Sequence, residues 1–353
     1  MEYLKSIKQH LKKINESNIQ YLDIFKNPSL VYGNTSNSNT TDFCKYPPEV
    51  EKDIRKFGGS ALYYMQYHKT SSCGCRIRFK TTSKRLVFKV QLKRASTYKE
   101  MILWNSSGFD VYIIDKDGNY VHNNLIAPQS RKNIFAEQIW LPKNSSVCIF
   151  LPNYDTIEKM YIGIENGSRI ATFPYRKEKS LPIVFHGNGI TQGASATKSG
   201  NSFPNIVSRK LDNDIINLSA AHCCKGLMSV ADLIGQIDCS SIIIDYSRDA
   251  RDVDDLKKYH ENFYKKIREA HPDKKIIIMT TACFNNEKKY EDYDEVIINT
   301  YNNAIKRKEN TLLLNQKKLF EDEDKSLIAV DGFHYNDYAM FKIADKICEL
   351  LTA

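Results

Sequence analysis

No stretch of this 353-residue chain approaches the apolar length needed to cross a bilayer as a helix. The amino terminus, MEYLKSIKQHLKKINESN, has lysines but no apolar run after them, so no secretory signal is expected. No C-x-x-C pair occurs among the nine cysteines, which argues against a thiolate zinc site. No internal repeat is visible. There is also no long block of one charge. The excess of 51 Lys+Arg over 42 Asp+Glu, +9 in all, is spread along the chain. A solvated basic surface accounts for it, and no nucleic-acid partner is expected.

What is present is enough hydrophobic sequence, 42%, to fill a core, and enough length for two domains. Nine is an odd number of cysteines. With no export signal, reduced thiols and a cytoplasmic location follow as expectations. Cys239, Cys283 and Cys348 lie near apolar runs and read as small core residues.

Leu4, Ile7, Leu11 and Ile14 fall at helical spacing, so the spacing predicts a short amphipathic helix over 1–20. A polar loop, GNTSNSNTTD, follows at 33–42. Together they make an amino-terminal segment, 1–44. Residues 45–175 read as a β-sandwich domain, with β texture from about Ala61 to Thr172. CRIRFKT, RLVFKVQLK, DVYIID and VCIFLP are short, β-branched and aromatic, and several alternate at period two. Tyr63, Tyr64, Phe109 and Tyr112 read as its core. A charged linker starts at Pro174. From Leu181 to the end, LPIVFHG, DIINLSA, SIIIDYS and KKIIIMT are continuous apolar runs separated by helical patterns. That alternation predicts a three-layer α/β/α domain around a parallel sheet, with candidate sites at the carboxyl ends of the strands.

Those strand ends carry a resemblance. HGNGITQG with SGNSFP, then INLSAAHCCKG, then IIIDYSRDA, and last DGFHYND stand in that order. The series resembles the blocks of the SGNH/GDSL hydrolase group, in the form with an amino-terminal β-sandwich, here jelly-roll-like. SCGCRIRFKT and GFDVYI resemble pieces of that first domain. The resemblance implies metal-free, cofactor-free serine esterase chemistry on acyl groups. His334 and Asp331 would be the catalytic dyad, since D-x-x-H sets a carboxylate beside an imidazole.

The other blocks depart from the family. Gly189 stands where the resemblance places the nucleophilic serine, His222 where it places a glycine, and Asp249 where it places an oxyanion-hole asparagine. A carboxylate is an acceptor and repels an oxyanion. The leading expectation is a hydrolase-fold protein without serine catalysis. Its pocket, lined by Asn188, Gly189, His222, Cys223 and Asp249, would hold an acylated or amine-bearing small molecule or a protein partner. One alternative keeps a hydrolase or acyltransferase working through Cys223 or Cys224 with His334 and Asp331. Another is a metal held by His222, Asp249 and His334. His222 is expected to pair with Asp249 across the old oxyanion hole. His186 would border the pocket for reasons of shape. Ser195 would face away from it, and His260 and His271 would be structural.

Overall fold

The computed structural model describes residues 14–35, 43–95, 98–99, 101–130, 132–281, 284 and 288–353. The first half is built on antiparallel strands. They are β1 (Ile19–Asp23), β2 (Val31–Tyr32), β3 (Arg76–Thr81), β4 (Arg85–Leu92), β5 (Phe109–Ile114), β6 (Tyr120–Ile126), β7 (Ile134–Trp140), β8 (Ser145–Phe150), β9 (Ile157–Glu165) and β10 (Ile170–Thr172). One sheet runs β1-β9-β4-β7. The other runs β10-β3-β8-β5-β6, with β2 also paired to β3. Alternate residues of each sheet meet between them. Ile77, Phe79, Phe109, Val111, Val147 and Ile149 of one face Leu86, Phe88, Val90, Met160, Ile162 and Ile164 of the other. The alternating sequence runs encode this period-two facing, although the residues between them, such as Arg76, Arg78, Tyr112 and Phe150, are buried too.

Two parts of the amino-terminal reading change. Residues 1–13, most of the expected helix, lie outside the described residues, as do 36–42 of the polar loop. At the other end of that expected helix, Ile19–Asp23 is a strand paired with β9. The segment from Pro48 is helical, with α1 (Pro48–Ile54) and α2 (Gly59–His68). The tyrosines of GSALYYMQYH suggest β, but Ala61, Met65 and His68 are buried at i, i+4 and i+7. Tyr46, Val50, Ile54, Ala61 and Met65 pack on the helices of the second half rather than on the sandwich.

The second half is the expected α/β/α sandwich. Strands β11 (Ile183–Gly187), β12 (Ile215–Asn217), β13 (Ser241–Asp245), β14 (Lys275–Met279) and β15 (Thr311–Leu314) form one parallel sheet in the order β12-β11-β13-β14-β15. The short α3 (Gly189–Gln192) follows β11, and α4 (Phe203–Leu211) follows it. Then come α5 (Met228–Gly235), α6 (Val253–Ala270), α7 (Lys288–Lys306) and α8 (Asp337–Thr352). Ile183, Phe185, Ile243 and Ile277 face α4 and α8, while Val184, Ile242, Ile244, Ile276 and Ile278 face α5, α6 and α7. The runs are apolar throughout because both faces are covered. Among the described residues no helix is long and apolar enough to cross a membrane.

The halves are joined by buried arginines of β3. Arg76 is fully buried. It pairs with Asp214, donates to the carbonyls of Gly74 and Ile215, and gives its Nε–H to Tyr175 Oη at 2.5 Å. Arg78 pairs with Asp212 at 2.8 Å and lies 3.7 Å over the Tyr175 ring. A buried guanidinium without its partners is an uncompensated charge. Asp214→Ala should therefore lower unfolding free energy by about 3–5 kcal/mol. The midpoint and slope of a urea titration check this. A loss within the ordinary surface range of about 0.5 kcal/mol would show that the pair does not hold the halves together.

Candidate active site

The strand order reverses at β11, whose successor β12 lies on one side and β13 on the other. A crevice opens at such a point beyond the carboxyl ends of the strands. Here it is a cavity of about 590 Å³. Asn188, Gly189, Ala221, His222, Arg248, Asp249, Asp331 and His334 line it from the α/β half. Tyr64, His68, Tyr98, Met101 and Tyr154 close it from the amino-terminal half.

Each turn is held by its own backbone. Asn188 caps α3, accepting from Ile190 N–H at 2.8 Å and donating to the Asp245 carbonyl at 2.9 Å. Gly187 must be glycine, since a Cβ there would sit 2.2 Å from Thr191 Oγ1. Gly189 is different. Its backbone is not left-handed, and a Cβ would meet Ala221 Cβ at 3.1 Å and Tyr154 Oη at 3.3 Å, a tight fit that small shifts admit. Tyr154 donates to the Gly189 carbonyl at 2.9 Å.

His222 has φ +65°, a conformation that favours glycine and costs another residue roughly 1 kcal/mol or more. Its ring leans on Tyr64, centroids 4.5 Å apart. The expected His222–Asp249 pair is absent: among the described residues no hydrogen bond or ion pair joins them. Asp249 instead accepts from Cys224 N–H at 3.2 Å, and Lys225 donates to the Asp249 carbonyl. Burial pushes the Asp249 carboxyl above its ordinary range, against the pull of Lys225 and His222. The left-handed turn sends the imidazole outward to the tyrosine, and the Cys224 amide of the same loop takes the carboxylate.

Asp331 and His334 do meet. His334 Nδ1 lies 2.7 Å from Asp331 Oδ2, and His334 N–H donates to Asp331 Oδ1 at 2.9 Å. Partial burial raises the Asp331 carboxyl, but these hydrogen bonds outweigh it and hold it below the usual range.

The cysteines do not reach the cavity. Cys223, expected to line it, is fully buried, and both Cys223 and Cys224 direct Sγ to the Ala220 carbonyl, at 3.4 and 3.2 Å. Burial, with Cys224 beside it, pushes the Cys223 thiol well above its usual range. The loop after Ala220 curls its thiols toward the helices and leaves Ala221 and His222 facing out. His222, Asp249 and His334 do not form a ligand set either. Among the described residues no three His, Cys, Asp or Glu side chains are gathered to hold a metal. His186 is buried against Tyr246 and Phe263, which pushes it down to about 4, and it does not border the cavity. His260 bonds Thr300 Oγ1, and His271 bonds the Ile234 carbonyl, away from the strand ends.

Several residues here carry no signal in the sequence. Tyr98, Met101 and Tyr154 reach the site from loops of the first domain, and no spacing marks them. Arg248 adjoins Asp249, and its guanidinium lies 3.5 Å from the Phe333 ring centroid. Asp245, beneath the cavity, accepts from Thr191 Oγ1 at 2.6 Å and from Gln316 Nε2 at 3.0 Å. Gln316 in turn accepts from Tyr335 Oη at 2.5 Å, next to His334.

Burial pushes Asp245 up to about 7 from an unperturbed 3.8. Between those values the folded protein keeps a proton that the unfolded chain has lost. The stability that this proton supplies is therefore complete below about pH 4 and is lost as pH rises to about 7. Asp245→Asn removes this dependence. The stability difference should move toward the variant by about 1.4 kcal/mol per pH unit across that window and level off above it. Denaturant titrations from pH 4 to 9 measure it; parallel curves for the two proteins would refute it.

Residues 180–352 match the family model described as the GDSL-like Lipase/Acylhydrolase family. Residues 19–170 match the model described as the "N-terminus of Esterase_SGNH_hydro-type". No curated protein matches the chain. Among solved structures, a Bacteroides ovatus protein assigned as a GDSL-like lipase is 22% identical, over 95% of this chain and 98% of its own, with a TM-score of 0.77. The salicylyl-acyltransferase SsfX3 of a tetracycline biosynthetic pathway is 15% identical, over 96% and 95%, with a TM-score of 0.70. An acetyl xylan esterase from the rumen bacterium Butyrivibrio proteoclasticus is 12% identical, over 95% and 98%, with a TM-score of 0.53. At these identities the likeness is one of fold, and it runs through both halves. With both family models matched in order, the chain belongs to the SGNH/GDSL hydrolase superfamily, in the form that carries an amino-terminal β-sheet domain.

Proposed function

We infer that this member of the superfamily has lost serine esterase chemistry and keeps its interdomain cavity as a binding site for an acylated small molecule. One observation carries the reading. Among the described residues lining the cavity there is no serine, threonine or cysteine, and Gly189 occupies the turn facing the His334–Asp331 pair. An imidazole with its orienting carboxylate activates a nucleophile; it does not replace one. The thiols of Cys223 and Cys224 are turned away, so the cysteine alternative has no geometry to support it.

The remaining lining suits binding. Tyrosines and Met101 offer apolar faces, while Asn188, Arg248 and His222 offer polar groups, the mixture usual in small-molecule pockets. Asp249 adds an acceptor where a developing oxyanion needs a donor. That change alone opposes acyl transfer, independently of residue 189.

Purified protein should turn over p-nitrophenyl acetate no faster than buffer does. Gly189→Ser alone should recover little, because Asp249 still faces the hole. Gly189→Ser with Asp249→Asn should exceed the single variant by about 10²–10³-fold, the usual value of one oxyanion donor. Ester turnover by the unaltered protein that survives removal of contaminating esterase would overturn the reading. Full recovery by the single change would remove Asp249 from it.

A further inference from the structure

Lys45 and Cys73 make a contact that the cavity does not use. Lys45 sits just ahead of α1, where its N–H donates to the Lys69 carbonyl at 2.9 Å. Cys73 sits on the turn ahead of β3. That turn is pressed against β12: Gly74 has φ +75°, and a Cβ on it would lie 2.5 Å from Asn217 Cβ. Both side chains are buried. Lys45 Nζ donates to Cys73 Sγ at 2.9 Å and to the Ser219 carbonyl at 2.8 Å.

A buried ammonium is ordinarily balanced by a carboxylate. Among the described residues none pairs with Lys45. Its two partners are the Cys73 sulfur and a backbone carbonyl. The neighbouring thiols point elsewhere. Cys75 is directed to the Gly33 carbonyl, and Cys223 and Cys224 to that of Ala220. The Ser71 hydroxyl lies farther off, 3.8 Å from Cys73 Sγ, so the nearest nucleophile to Cys73 is the Lys45 amine, at a separation too long for an N–S bond and suited to one intervening atom.

We propose that Lys45 and Cys73 form an oxidative modification site, at which peroxide joins Nζ to Sγ through a single oxygen. The step balances with two equivalents of hydrogen peroxide. Sulfur is oxidised first, as on the ordinary thiol ladder. The S–H and one N–H bond are lost, and S–O and N–O bonds form. Of the four peroxide oxygens one stays in the bridge and three leave as water, with four electrons passing to the peroxide. Two equivalents of dithiol reverse it, restoring amine and thiol and releasing the bridging oxygen as water.

The bridge spans 28 positions and encloses α1 and α2. The enclosed segment carries Tyr64 and His68, two walls of the cavity. Closing that loop covalently restricts the unfolded chain, as a disulfide does. Oxidation thus fastens one wall of the cavity and stabilises the fold.

The test uses the full chain, treated with hydrogen peroxide and then digested with trypsin. The expected product is a pair of peptides joined at Lys45 and Cys73. Its mass is their sum plus one oxygen less two hydrogens, with cleavage after Lys45 blocked. It should vanish after dithiothreitol. The treated protein should melt at a higher temperature than the reduced one, and Lys45→Arg should show neither change. The peptide mass from the unaltered chain stands even if that variant fails to fold. Four results would overturn the proposal: sulfinic or sulfonic acid at Cys73 with Lys45 free, a disulfide from Cys73 to another cysteine, a joined pair lacking the oxygen, or Cys73 unmodified in a sample whose more exposed Cys44 has oxidised.

Discussion

Everything at the site depends on the seating of β3 against the start of β12. Arg76 and Arg78 project from one sheet of the sandwich toward Asp214 and Asp212, which flank the entry to β12 in the parallel sheet. Two guanidiniums desolvated at this depth tolerate little misplacement, because a shifted partner leaves a bare charge. Register in the first domain is thereby tied to register in the second. The turn at Gly74 closes onto Asn217, and Asn217 donates to the Thr191 carbonyl at the end of α3. A short mechanical chain thus runs from the arginines to the turn that carries Gly189.

The cavity walls follow from that seating. The α/β half supplies three turns at the carboxyl ends of β11, β12 and β13, and a fourth from the loop before α8. The other wall comes from α2 and from loops of the sandwich. The backbone asks different things of His222 and Gly189. His222 holds a left-handed conformation without being glycine. Gly189 holds an ordinary conformation without needing to be glycine. The first is a turn geometry that glycine would hold with less strain. The second leaves room for a small side chain once Ala221 and Tyr154 give way slightly.

The parallel sheet was readable because burial on both faces leaves uninterrupted apolar runs such as Ile242 to Ile244. The sandwich was readable because the apolar residues that meet between its two sheets alternate along each strand. Asp331 and His334 were readable because three residues of one chain settle their geometry. Other features were not. The aromatic sequence around Tyr64 looks like a strand, and only packing onto the α/β helices makes it α2. Whether Cys223 faces the cavity or the core depends on the direction of the curl after Ala220, which adjacent residues do not encode. Asp249 and His222 looked complementary by charge alone. The Cys224 amide and the Tyr64 ring took them in different directions. Tyr154 and Met101 are brought in by a domain interface, which has no periodicity to read.

Tyr154 reaches from the sandwich to the Gly189 carbonyl. The first domain is thus in direct contact with the turn at the floor of the cavity, beyond simply walling it. An isolated α/β half would keep its five strands and its dyad, but Gly189 would lose a hydrogen bond and the cavity would become an open trough. The enclosure of the site is a property of the interface between the halves. Any substitution that loosens that interface reshapes the cavity as surely as one made inside it.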